Sequence, residues 1–175
     1  MTALSNSRRG AAGIAFIVAG ALFLLAAILP LLGASLPIVL TLAEVAMVVG
    51  LAILALGAVN SVIAKIALLV AAVGWAILAL ASLGVIAIPA GIVTFAAVIA
   101  AVAGIVGAIV LYTGKEIRNR PAIAFIVAMI LGALFLLGVA GILSLGQLAV
   151  IVLILFGAAL VVTGVLFRRT EGSRR

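Results

Sequence analysis

The stretch RRGAAGIAFIVAGALFLLAAILPLLG, residues 8–33, decides how the rest of the chain is read. Two arginines precede an apolar run that exceeds the roughly 20 residues an α-helix needs to cross about 30 Å of hydrocarbon. The wording then returns. "IAFIVA" occupies residues 14–19 and again 123–128, and each copy is followed within a few residues by "GALFLL". A chain of 175 residues that writes one apolar phrase twice is expected to be built by duplication.

Composition agrees with a membrane solvent. The chain is 70% hydrophobic and 7% charged, with a mean hydropathy of +1.71, whereas soluble domains are about 45–50% apolar and about 25% charged. Too few polar groups are present to cover a water-facing surface. Cysteine, histidine and aspartate are absent, and the only acids are Glu44, Glu116 and Glu171. Disulfides, Cys- or His-based nucleophilic pairs, paired aspartates and nearly all protein-built metal sites are therefore excluded. The expectation is no enzyme, no metal and no cofactor.

A net charge of +7 would ordinarily raise nucleic acid as a partner. The placement of the cations argues for membrane orientation instead. Apolar runs cover 10–33, 36–58, 62–83, 89–112, 121–143 and 148–167, with Gly and Pro breaking the long stretch near 82–89. Six spans put a short N-terminal tail (1–9), the turn at 59–61, the basic loop 113–120 and the basic tail 168–175 on one side. All ten Lys and Arg residues lie at or beside those segments, and the opposite loops carry no charge. By the positive-inside rule both termini are expected in the cytoplasm, the chain being a multi-pass protein of a cell inner membrane. The first run and its "LGAS" loosely fit a signal peptide. The run is long for that purpose and its text recurs in the fifth span, so it is expected to be retained.

An even number of spans separates the two copies of "IAFIVA", so they run in the same direction. A second signature extends the repeat. Gly50 and Gly57, Gly107 and Gly114, and Gly157 and Gly164 share one G-x6-G spacing in the second, fourth and sixth spans. Seven residues are close to two helical turns, so each pair falls on one face, where a neighbouring backbone can approach. The fold expected is all-α, with six transmembrane helices as three parallel two-helix hairpins: 10–58, 62–112 and 121–167.

Three such hairpins, each beginning near a basic residue, with Pro30 late in the first helix and G-x6-G late in the second, resemble the HdeD-like family of small bacterial membrane proteins. The resemblance covers residues 9–167. It is weakest in the middle hairpin, where Lys65 and Trp75 stand in place of the "IAFIVA" phrase. The resemblance implies a bacterial inner-membrane role in acid or general stress and supplies no catalytic residues.

Glu44 is the one ionisable group deep within a span, about 12 Å along the second helix at about 1.5 Å per residue. An intramembrane acid suggests a proton-binding group or the lining of a cation path. Thr41, three residues earlier, shares its face and could hydrogen-bond it. The alternative is a neutral Glu satisfied by a neighbouring helix, since the other hairpins have no acid at that depth. Lys65 reads as a snorkelling anchor, Trp75 as a packing residue beside Gly74, and Tyr112 as a membrane-belt residue. Ala96, Ala100, Gly104 and Ala108 form a small-residue stripe facing either inward or a second copy of the chain. Partners are thus the bilayer, with a homo-oligomer or other membrane proteins beyond it, and no nucleic acid. Two functions remain open: a non-catalytic membrane component in stress tolerance, or a small proton or ion channel or transporter with Glu44 as its titrating station.

Overall fold

The structure, a computed structural model, describes residues 3–34, 36–57, 59–84, 86–117 and 119–172. Six helices account for most of them: α1 (Ala3–Ile28), α2 (Pro37–Gly57), α3 (Val62–Leu83), α4 (Ala90–Thr113), α5 (Asn119–Val139) and α6 (Leu148–Gly172), with a 3-10 turn over Leu29–Leu32 after α1. No strand occurs among the described residues. All six helices are long and apolar enough to cross a membrane, so the chain is a multi-pass α-helical membrane protein.

Helix boundaries follow local chemistry. α1 starts before Gly10 because residues 3–9 contain neither Gly nor Pro to stop it. Pro30 falls in the 3-10 turn that ends it. There the Gly33 N–H donates to the Pro30 carbonyl and the Ala34 N–H to the Leu29 carbonyl, a Schellman cap with Gly33 at φ 75°. α5 ends the same way at Val139, four residues before the expected 143, with Gly141 at φ 72° and bonds from Gly141 to Gly138 and from Ile142 to Leu137. The α4 cap has this bond pattern too, but a lysine, Lys115, takes the left-handed position at φ 56°. α3 is capped at its start by the Ser61 hydroxyl, which accepts from the Ala64 N–H at 3.3 Å. α6 runs past 167 into the basic tail, where cations suit the negative end of a helix dipole.

Each helix packs against its neighbours in sequence, and α6 closes on α1, giving a ring of six with no backbone contact across it among the described residues. Lipid is as apolar as leucine, so the ring must be held by close packing and polar contacts more than by the hydrophobic effect. The tightest seam is α1–α6. A Cβ on Gly13 would lie 2.7 Å from the Gly164 carbonyl oxygen, and one on Gly20 would lie 2.5 Å from that of Gly157. The clash is reciprocal: Gly157 faces the Gly20 carbonyl at 2.8 Å, and Gly164 meets that of Gly13. Outside this seam a Cβ on Gly74 of α3 would also meet a backbone carbonyl oxygen, that of Ala96 at 2.8 Å, and other glycines take side chains. Gly50 receives the Phe16 ring, Gly57 the Arg8 side chain and Gly107 the Leu68 side chain. Gly114 sits at the end of α4 against its own helix, its N–H bonded to the Val110 carbonyl.

The stripe Ala96, Ala100, Gly104 and Ala108 is buried, which answers the choice left open above: it faces inward. Gly74 of α3 lies against it, where a Cβ would come within 2.7 Å of Ala100 Cβ. Six of the seven phenylalanines and Trp75 fill the middle of the ring, while Phe95 points outward.

Candidate functional site

Glu44 projects from α2 into the α2–α3 contact and is only 5% exposed. The Ser82 hydroxyl of α3 donates to Glu44 Oε2 at 2.6 Å. Thr41 Oγ1 lies 3.0 Å from Ser82 Oγ and 3.4 Å from the Pro37 carbonyl of its own helix. Ser82 has one hydroxyl hydrogen, for which Glu44 and the Ala79 carbonyl at 3.0 Å are both acceptors. When it donates to Glu44 it accepts from Thr41, whose own hydrogen then leaves the Pro37 carbonyl, giving a chain Thr41 to Ser82 to Glu44. Thr41 thus reaches the acid through Ser82. Ser82 stands one residue before the end of α3, and helix side chains lean toward the N-terminus of their own helix. The carboxyl group is therefore displaced from mid-span toward the uncharged end of the bundle.

Ser82 was not among the expected site residues. A serine beside Gly84 and Pro89 reads as turn material, and only the α2–α3 register brings it to Glu44. No cluster of three or more metal-ligating side chains exists among the described residues. One carboxylate with one hydroxyl donor can hold a proton, or a cation when ionised; it lacks the further ligands a metal site needs.

The centre of the ring adjoins this site and is filled. Phe23 lies 4.9 Å from Phe156, 5.8 Å from Trp75 and 6.1 Å from Phe135, measured between ring centroids. Trp75 stacks on Phe156 at 6.0 Å with an interplanar angle of 15°. Nearer the charged end, Phe16, Phe125 and Phe167 form a second cluster with centroids 5.8 to 6.0 Å apart. The gap bordered by Met47, Trp75, Met129 and Phe156 has a volume of about 10 Å³, at the lower limit of what one water molecule occupies. Thr163, fully buried on α6, donates to the Ala159 carbonyl at 2.8 Å within its own helix. It presents no open donor to a path.

The other end of the bundle carries the charges. Glu116 accepts the backbone N–H of Asn60 at 2.7 Å and of Ser61 at 2.6 Å, so an acid in the α4–α5 loop binds the start of α3, where backbone donors lack helical partners. Arg8 reaches the Leu56 carbonyl at 3.5 Å, and the Arg168 side chain comes close to Gly13. The start of α1, the α2–α3 turn, the α4–α5 loop and the end of α6 meet at this end. Lys65 stands in the first turn of α3 and Tyr112 is half exposed near the end of α4.

Site and fold together define a multi-pass helical membrane protein with a packed centre and a single intramembrane acid. Comparison with protein-family models, with curated proteins and with solved structures returns no match.

Proposed function

We propose that this chain is a non-catalytic, non-conducting protein of a bacterial inner membrane, with both termini in the cytoplasm. Read as three parallel hairpins it resembles the HdeD-like family, and that resemblance supports a role in acid or general stress tolerance, acting on the bilayer, a second copy of itself or other membrane proteins, and not on nucleic acid. The observation that carries this reading is the aromatic filling of the ring. A water or ion path needs lining polar groups and width, whereas the centre here holds stacked rings and a gap of about 10 Å³.

The duplicated phrase supports the hairpin repeat. Phe16 of "IAFIVA" meets its counterpart Phe125 at 5.8 Å, and Phe23 of "GALFLL" meets its counterpart Phe135 at 6.1 Å. Corresponding residues of the two copies of the phrase thus meet. Clustering of Arg8, Lys65, Lys115, Arg120 and Arg168 at one end supports the cytoplasmic assignment of that end.

The second reading, a small proton or ion channel with Glu44 as titrating group, rests on the Thr41–Ser82–Glu44 chain. Proton flux into proteoliposomes loaded with a pH-sensitive dye separates the two. The wild type and Glu44→Gln are expected to leak at the rate of empty liposomes under an imposed pH gradient. Flux above that rate in the wild type that disappears in Glu44→Gln would replace the non-conducting reading with the channel.

A further inference from the structure

The uncharged end of the bundle displays large apolar side chains where a water-facing loop surface would display polar ones. Leu31, Leu32, Leu36, Ile86, Ile142 and Leu148 all lie more than half exposed there, Leu32 at 75%. We propose that this end does not emerge into water: its three loops lie in the glycerol-ester layer of the leaflet opposite the charged end, and phospholipid covers those six side chains.

Three observations support lipid as the occupant. The first is continuity. The apolar surface runs without a charged residue from the lipid-facing helix flanks, at Ile28, Ile38, Leu80, Leu83, Val139 and Ile151, over the loops themselves, where Ser144 and Gln147 are exposed polar side chains of the third loop. A docking site for a soluble partner would be bounded by a polar rim.

The second is length. About 27 Å of helix separates Lys65 from Leu83, and about 30 Å separates Leu148 from Arg168, at about 1.5 Å per residue. The hydrocarbon layer is about 30 Å thick, and any tilt shortens the projected span. With Lys65, Arg120 and Arg168 held at the headgroups of one leaflet, the far ends of α3, α5 and α6 reach the opposite hydrocarbon boundary without passing the headgroups beyond it, and the longer α4 does so with tilt.

The third is backbone satisfaction, which any chain entering a bilayer requires. In the first loop the Gly33, Ala34 and Val39 N–H groups bond to the Pro30, Leu29 and Leu36 carbonyls. In the third, the Gly141, Ile142, Leu143, Leu145, Leu148 and Ala149 N–H groups all find local carbonyls. The first and third turns thus close much of their own backbone hydrogen bonding.

The charged end is built the other way. Leu56, Val62 and Ile63 are exposed there too, at 65–67%, but on the helix ends that flank the 59–61 turn, Val62 and Ile63 within a turn of Lys65. The apolar loop residues Val59 and Ile117 are tucked in at 5% exposure, and the acid Glu116 binds backbone donors. One consequence concerns Glu44: because Ser82 adjoins the submerged loops, phospholipid as well as protein separates the acid from water.

The inference rests on the multi-pass reading above, and its test is independent of proton flux, so either can fail alone. The chain has no cysteine, which makes single-cysteine labelling unambiguous. Ala34→Cys, Ala87→Cys and Ser144→Cys, one in each uncharged loop, are compared with Asn60→Cys at the charged end. Each carries a polarity-sensitive fluorophore in phospholipid vesicles. The three loop sites are expected to emit to the blue of the Asn60 site. They should lose more than half their intensity to a nitroxide on an upper acyl carbon and little to aqueous iodide, with the pattern reversed at Asn60. Iodide quenching of all three loop sites as strong as at Asn60 would overturn the proposal. So would blue emission unquenched by the lipid nitroxide, since protein and not lipid would then cover the end. Reading three loops separately keeps the test decisive if one variant fails to assemble.

Discussion

Two seams of the ring are closed by different means. α1 and α6 share no connecting loop, being the first and last helices, and they meet backbone to backbone at Gly13, Gly20, Gly157 and Gly164. α2 and α3 are joined by a short turn and meet through a polar chain: Glu44 with Ser82 and Thr41 near the uncharged end. At the charged end, Glu116 draws the turn itself toward α4 and α5. The difference has a physical reason. A loop keeps its two helices at high effective concentration, so their contact can tolerate a side chain that reaches sideways. A seam without a loop must be held by contact alone, and in lipid the strongest contact comes from missing side chains that admit another backbone. The loop-joined α3 and α4 have one such glycine, Gly74 against the Ala96 carbonyl, where α1 and α6 have four.

The largest effect is expected where side chains from both seams meet. Phe156 of α6 touches Phe23 of α1 and Trp75 of α3 and fills the space over Gly132. Phe156→Ala removes that ring from every partner and should destabilise the fold by about 3–5 kcal/mol, read as a lowered midpoint in denaturant titration of the purified protein in mild detergent. A loss under about 1 kcal/mol would mean the centre relaxes and the plug is not a structural element.

Next in size is the glycine seam. Gly157→Ala puts a methyl group against the Gly20 carbonyl and should cost about 1–3 kcal/mol as overpacking. Gly91→Ala in the first turn of α4, where no atom lies within 4 Å, should be neutral or stabilising by up to about 1 kcal/mol, since alanine restricts the unfolded chain. Equal effects at the two positions would remove the distinction between a packed glycine and a merely frequent one.

The polar seam should respond least. Ser82→Ala takes from Glu44 its donor and should cost about 0.6–1.7 kcal/mol, the range of interhelical hydrogen bonds in membranes. A double-mutant cycle with Glu44→Gln measures how much of that belongs to the pair. A coupling near zero would mean that α2 and α3 are held by their turn and by packing, and that the hydrogen bond adds nothing.

Much of this was legible in residue order, for reasons that also explain what was not. Span number and charged-end placement follow from hydropathy and from ten cations in a few clusters, both local properties. Glu44 stood out because a lone acid in an apolar run has no bland neighbours. Ser82 did not, because serine near a helix end is common and its importance comes from a partner 38 residues away. The glycine spacing is plain in the second, fourth and sixth spans. The same seven-residue interval lies in α1 between Gly13 and Gly20, and these are the glycines that Gly164 and Gly157 meet. That signal was present, but which helix pairs with which is not written in the spacing. Likewise, one G-x6-G pattern serves a backbone contact in α6, a phenylalanine socket at Gly50 and a helix end at Gly114. Spacing specifies a face and leaves its occupant to the fold.

The central claim is that the first and last helices close the ring around a filled centre. Disulfide cross-linking in the cysteine-free chain tests it most directly, with Ile17→Cys paired with Val161→Cys, two side chains that border the glycine seam. Rapid oxidation to one intramolecular cross-link is expected in native membranes. Ile17→Cys paired with Ala101→Cys on α4, a helix with no backbone contact to α1, should stay reduced. Cross-linking to α4 as fast as to α6 would contradict the closed ring.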